Sequence, residues 1–197
     1  MAFIGMRHVV VAKVASHTDG SEPTYTAGMV AGKAISGNLT ITRNNNPLRA
    51  DDDIAENDNG ITDMTLDLGT DDLLEDVQAY MGMLKSKTTG TGDDAITTYY
   101  DTSASAEDVG IGYIRVRRKN HQTVYQAIWA YSGVFGINNE SAQTKGQSIE
   151  WQTPVANGQF KGLLVDDSGD LTFRKRRNFD SYAAAEAYLD GLAGISA

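Results

Sequence analysis

The sequence predicts an α+β fold that is mainly β: a sandwich or barrel of strands flanked by one helix, with a second helix near the C-terminus. Three observations lead there. Short segments of alternating apolar and polar residues recur along most of the chain, and that period belongs to half-buried strands. Twenty Gly and three Pro in 197 residues supply many tight turns without a proline-rich disordered stretch. Helical spacing is confined to two segments, one from residue 70 and one from residue 181. At this length a single domain over residues 1–197 is expected, with roughly 70% of the unfolded surface buried.

Residues 8–15 read as the first strand, with Val9, Val11 and Ala12 inside it and the turn Ser16-His17-Thr18-Asp19-Gly20 after it. Residues 25–30 give a short strand. Residues 35–43 give a half-buried one, in which Ile35, Leu39 and Ile41 are set against Asn38, Thr40 and Thr42. Residues 44–60 have turn formers at both ends and few apolar residues between, which predicts a long loop or an extended hairpin projecting from the body. Met64, Leu66 and Leu68, with Thr65 and Asp67 opposite, form the next strand.

Thr70 reads as a helix cap, with Asp71 and Asp72 at the positive end of the dipole. Leu73, Leu74, Val77, Tyr80, Met81 and Leu84 then share one helical face, expected to pack on the sheet. Gly82 weakens the last turn, and residues 85–94 read as a Gly/Thr-rich loop. Strands follow over residues 110–118, 123–135, 147–153, 159–165 and 170–176, separated by turns such as Asn138-Asn139 and Asp167-Ser168-Gly169-Asp170. Residues 181–189 form an Ala-rich helix capped by Asn178 or Asp180, and residues 191–197 a flexible tail.

Charge is distributed unevenly. Residues 51–76 hold eleven Asp or Glu and no Lys or Arg, whereas ten of the seventeen basic residues fall within residues 115–177. The acidic segment centres on Asp51, Asp52, Asp53, Glu56 and Asp58; the strongest basic cluster is Arg174, Lys175, Arg176 and Arg177, followed by Arg117, Arg118 and Lys119. A protein with two different, complementary patches can dock head to tail on copies of itself. The five acidic residues and the four basic residues from Arg174 to Arg177 are therefore the candidate assembly interface. The net charge of −9 argues against a dedicated nucleic-acid binder, although it suits a wall past which DNA slides without sticking.

Chemistry-bearing patterns are weak. The absence of Cys excludes disulfides, thiolate metal ligands and Cys nucleophiles. His8, His17 and His121 lack metal-ligand spacing, and strand or turn positions account for them. The acidic run from Asp51 lacks the central Gly and terminal Glu of an EF-hand loop, so its carboxylates read as solvated or partner-paired. Gly28-Met29-Val30-Ala31-Gly32-Lys33 is one residue short of a phosphate loop, and Ala34 stands where a magnesium-binding Ser or Thr belongs. No nucleophile elbow is present. The expectation is a protein without catalysis or cofactor. No stretch approaches the ~20 apolar residues of a membrane span, and Lys13 cuts the apolar run that begins at Val9, leaving it too short for a signal-peptide core. The cytoplasm is the expected place of synthesis.

Several motifs, taken in order, carry a family resemblance. They are Gly5-Met6-Arg7-His8-Val9, Ala50-Asp51-Asp52-Asp53-Ile54-Ala55-Glu56, Gly60-Ile61-Thr62 leading to Leu66-Asp67-Leu68, and Tyr80-Met81-Gly82-Met83. The second half adds Ile111-Gly112-Tyr113-Ile114-Arg115-Val116 and Ile149-Glu150-Trp151-Gln152-Thr153-Pro154. With these the chain resembles the major tail proteins of long-tailed bacteriophages, which build the tail tube. The resemblance implies the tail tube fold and hexameric rings stacked into a hollow tube around a tape-measure protein. It also implies tail terminator and baseplate proteins as neighbours, DNA passing through the lumen without specific binding, and assembly in the host cytoplasm into the virion tail. Two alternatives lie close by: another ring-forming tail part, such as a terminator or baseplate ring, and the inner tube of a contractile injection machine. A third, from a different class, is a carbohydrate-binding β-sandwich, which would work as a monomer and display an aromatic platform.

Overall fold

The computed structural model of the chain describes residues 2–50, 53–102, 106–119, 122–137 and 153–195; for residues 2–3, 46–50, 53–58 and 119 it describes the backbone alone. The first half runs β1 (Ala2–Ser16), β2 (Thr24–Gly32), β3 (Ala34–Arg43), β4 (Asn46–Ala50), β5 (Asp53–Asp58), β6 (Ile61–Thr70), α1 (Glu75–Tyr80), β7 (Leu84–Thr89) and β8 (Ile96–Asp101). The second half adds β9 (Val109–Lys119), β10 (Gln122–Ile137), β11 (Val155–Phe160), β12 (Leu163–Leu164), β13 (Leu171–Thr172), β14 (Arg174–Phe179) and α2 (Tyr182–Ala193). The expected sheet-rich α+β class is what is found.

One antiparallel sheet dominates, in the order β2-β1-β9-β10-β11-β6-β3, with β14 also paired to β10. Strand β10 is long enough to serve both neighbours: residues Tyr125 to Ala130 pair with β14 and residues Gly133 to Ile137 with β11. The sheet curls, so that Met6 of β1 meets Gly37 of β3 although these strands lie far apart in the strand order. Between the two walls lies the main core, with Val9, Val11, Ile111, Tyr113 and Ile128 on one side and Met64, Leu66, Leu68, Phe135 and Phe160 on the other.

The opposite face of β1, β9 and β10 is covered by α2. Val10, Ala12, Ile114, Ala127, Trp129 and Tyr131 pack there against Ala185, Leu189 and Ala193. Both faces of β1 are thus dry, which is why Val9 to Ala12 is a continuous apolar run rather than an alternation. Trp129 fits beneath the helix because Gly112, on the neighbouring strand, has no side chain; a Cβ there would come within 2.6 Å of the indole. His8 fastens α2 from the sheet side. It sits at a bulge of β1 with φ 52, its Nε2 lies 2.7 Å from Asp190 Oδ1, and its Nδ1 lies 3.3 Å from Glu186 Oε1.

Several expectations need correction. The strand expected over residues 159–165 is divided between the end of β11 at Phe160 and the short β12, and the one expected over residues 170–176 is divided between β13 and β14, which runs on to Phe179. The helix expected from residue 70 is a single short segment starting at Glu75. Thr70 ends β6, and the Asp71 carboxylate accepts from the backbone N–H groups of Lys33 at 2.9 Å and Asp72 at 3.0 Å, so it holds a turn and not a helix. Gly82 adopts φ 77 and stops the helix, leaving Leu84 to open β7. Leu73, Val77 and Met81 are buried as expected, but Leu74 is 53% exposed at the N-cap.

Residues 85–94 are likewise not a simple loop. Strand β7 pairs with β8 in a hairpin from Leu84↔Asp101 to Thr89↔Ile96, and the turn formers sit at its tip. The C-terminal helix is capped by Ser181, whose hydroxyl accepts from Ala184 N–H at 3.2 Å, and not by Asn178 or Asp180. That helix runs on to Ala193, which is fully buried, so residues 191–193 belong to the packed structure and not to a tail. The strand expected at residues 147–153 and the turn at Asn138-Asn139 fall, residue 153 apart, outside the described residues.

Candidate assembly surface

The basic cluster is a strand, and a strand sends alternate side chains to opposite faces. In β14, Arg174 stands opposite Ala130 and Arg176 opposite Ile128, while Lys175 stands opposite Trp129 and Arg177 opposite Ala127. Directly opposed residues share a face in an antiparallel pair. The four cations therefore divide into two pairs, Arg174 with Arg176 and Lys175 with Arg177, on opposite sides of the sheet.

Arg174 and Arg176 lie on the face that, farther along the sheet, lines the main core. The register carries that face across β10 to β9, where Tyr113 opposes Ile128, Arg115 opposes Gln126 and Arg117 opposes Val124. Four guanidinium side chains, at 115, 117, 174 and 176, thus share one end of this face, bordered by the buried Tyr113 ring. A polar ladder crosses the three strands: Arg115 donates to Gln126 Oε1 at 3.0 Å, and the Gln126 amide donates to Asn178 Oδ1 at 3.0 Å. Burial lowers the pKa of Arg174, and burial with the positive charges of Arg174, Arg117 and Arg176 lowers that of Arg115. Tyr113 is shifted upward, again mainly by burial, and the guanidiniums beside it oppose that shift.

Lys175 and Arg177 are occupied within the chain. Lys175 Nζ lies 2.6 Å from Glu22 Oε2 and near the rings of Tyr131 and Tyr188, and the Tyr131 hydroxyl donates to Glu22 Oε1 at 3.0 Å. The Arg177 guanidinium stands 5.3 Å from the ring centres of both Phe179 and Tyr188. These contacts fasten β14 and the turn after β1 to α2, which is a structural use of charge.

The acidic segment lies on a hairpin of its own. Asp53, Glu56 and Asp58 belong to β5, which pairs with β4 from Asn46↔Asp58 to Ala50↔Asp53; Asp51 and Asp52 lie outside the described residues. At its base Asn44 N–H donates to Gly60 O at 2.8 Å and the Arg43 guanidinium donates to Asn59 O at 2.9 Å. Within one chain the acidic and basic segments therefore sit on separate strand pairs, β5 on β4 and β14 on β10. A two-stranded hairpin is marginal in water unless something covers it. The β7–β8 hairpin is likewise a two-stranded sheet of its own and carries Ile96, 67% exposed.

Sequence reasoning named the four basic residues of β14 but missed their division between faces, because it ended that strand at residue 176 and did not apply the two-residue period. It also missed Arg115, Tyr113 and Glu22, which only the strand register and a distant turn bring to the cluster. Among the described residues no group of three His, Asp or Glu is placed to hold a metal ion, and no helix is long and apolar enough to cross a membrane. Neither a family model nor a curated protein sequence matches the chain.

Proposed function

We propose that this chain is a structural assembly protein with the tail tube fold, polymerising as stacked hexameric rings into the tube of a long-tailed phage. In that role it surrounds a tape-measure protein, meets terminator and baseplate proteins at the tube ends, and conducts DNA without gripping it. The observation that carries the reading is the placement of the two charged segments on separate strand pairs, an acidic hairpin and an arginine-bearing strand, which suits a heterologous contact between copies. Further support comes from the ends of the main sheet, where, among the described residues, β2 and β3 each pair on one side only. Such open edges are templates for another chain unless they are blunted. The matching experiment removes residues 45–59. The expected product keeps its fold by circular dichroism and thermal melting but no longer polymerises; normal polymers from the deleted chain would show that the hairpin is not a stacking element.

A further inference from the structure

We infer that the outward face of the β7–β8 hairpin, led by Ile96 and Tyr100, docks into the cleft between β2 and α1 of a second copy of this chain. The inference rests on the assembly reading above and gives it an apolar contact between copies. In the hairpin Lys85 opposes Tyr100, Lys87 opposes Thr98 and Thr89 opposes Ile96, and directly opposed residues share a face. All six are exposed, Ile96 by 67% and Tyr100 by 49%. The other face is turned toward α1, where the Tyr99 hydroxyl donates to the Asp76 carboxylate. One side of the hairpin thus presents an aliphatic side chain, a ring and two ammonium groups to solvent.

The cleft has a volume of about 300 Å³. Val30, Ala31, Leu74 and Val77 supply its apolar lining, and Lys33, Asp71 and Asp72 its charges. Val30 is 51% exposed and Leu74 53%. Apolar surface therefore lies open to water on both partners, and removing it from water is the main gain of the contact. Among the described residues β2 pairs only with β1, so the cleft lies at an open edge of the main sheet.

Charge and reach identify the occupant. Asp71, Asp72 and Glu75 border Leu74 in sequence, an acidic surround for the ammonium groups of Lys85 and Lys87. At the hairpin tip Asp93 and Asp94 offer carboxylates to Lys33, whose Nζ lies 4.0 Å from Asp71 Oδ2 and whose side chain is 92% exposed. A hairpin held to its own α1 through Tyr99 presents Ile96 on the side away from that helix, so a neighbour's hairpin fills the cleft. Two different, complementary patches on one chain give a head-to-tail contact that repeats from copy to copy.

The test is sedimentation velocity of the full chain at low salt, with folding checked by thermal melting. Ile96→Asp spoils the hairpin and Leu74→Lys spoils the cleft, and each is expected to weaken association about tenfold or more. An equal mixture of the two variants is expected to form one-to-one pairs that grow no further, because the intact hairpin of one meets the intact cleft of the other. Leu171→Asp, at a position 58% exposed outside both patches, should associate like the parent. If Ile96→Asp disturbs the fold, Ile96→Ser carries the same prediction with a loss of about threefold. A parent that assembles while the Ile96 and Leu74 variants assemble equally well overturns this inference and spares the assembly reading. Two impaired variants whose mixture forms no pairs show that the patches meet something other than each other, which also overturns it. Equal impairment by Leu171→Asp does the same, since it marks unspecific apolar association. A parent that stays monomeric at every concentration overturns both.

Discussion

Leu73 and Leu74 are adjacent in sequence, and replacing each by Asp should have opposite consequences. Leu73 is 4% exposed and packs in the main core with Val77 and Met81. Leu73→Asp forfeits ~1.5–3 kcal/mol of apolar burial and adds a penalty of several kcal/mol for an unpaired carboxylate, or for protonating it. A loss of about 5 kcal/mol follows, and in a chain of this size each kcal/mol moves the melting temperature by about 2–4 °C. The expected drop is therefore about 10–20 °C. Leu74 is 53% exposed and is the N-cap of α1, with φ −52, ψ 144 and no side-chain cap bond. Leu74→Asp places an acceptor within reach of the free Asp76 N–H, a bond that contributes ~0.5–2 kcal/mol at a helix N-terminus. Repulsion from Asp71, Asp72, Glu75 and Asp76 offsets part of this. The net change is expected within about 1 kcal/mol of the parent. Thermal and urea unfolding of the two variants decide the matter. A Leu74→Asp protein destabilised by more than about 2 kcal/mol, or a Leu73→Asp protein as stable as the parent, refutes the assigned helix orientation.

Other perturbations test the packing under α2 and the tyrosines around it. Gly112→Ala should cost ~1–3 kcal/mol by forcing the buried Trp129 ring aside, whereas Gly191→Ala, on the open side of α2, should add ~0.8–1 kcal/mol of helix propensity; the reverse order in urea unfolding would contradict the α2 docking. Burial, then the Glu22 carboxylate, pushes the Tyr131 hydroxyl far above its ordinary value of 10.0, and burial does the same to Tyr25. Both are neutral in the folded chain at a pH where the unfolded chain ionises them, so their contribution is complete below about pH 10 and is lost as pH rises toward the folded values. The melting temperature should fall above about pH 10, and Tyr131→Phe should flatten that fall; a parent whose melting temperature is level across that range would rule out buried neutral tyrosines.

Strand identity was legible wherever local pattern and tertiary burial agree. Met64, Leu66 and Leu68 alternate and are buried; Val9 to Ala12 read as a strand although both of its faces are covered. Failures came where a polar residue served a distant partner. Asp71 resembles a helix-cap acid until Lys33 N–H, 38 positions away in sequence, is seen to claim its carboxylate. Lys85, Lys87 and the threonines of residues 85–94 resemble a loop because a hairpin with little packing on the body has no apolar alternation to announce it. The candidate interface was legible as composition and not as geometry. Counting charges finds Arg174 to Arg177, but only the pairing of β14 with β10 sorts them by face and brings Arg115 and Arg117 beside two of them. Glu22 could not be read at all, since nothing near it in sequence points to Lys175.

The central claim is that copies of this chain stack. Negative-stain electron microscopy of the purified full-length protein, concentrated at low salt, tests it most directly: the account predicts rings of uniform diameter and short tubes with a regular axial repeat, and a field of single, monomer-sized particles at every concentration would contradict it.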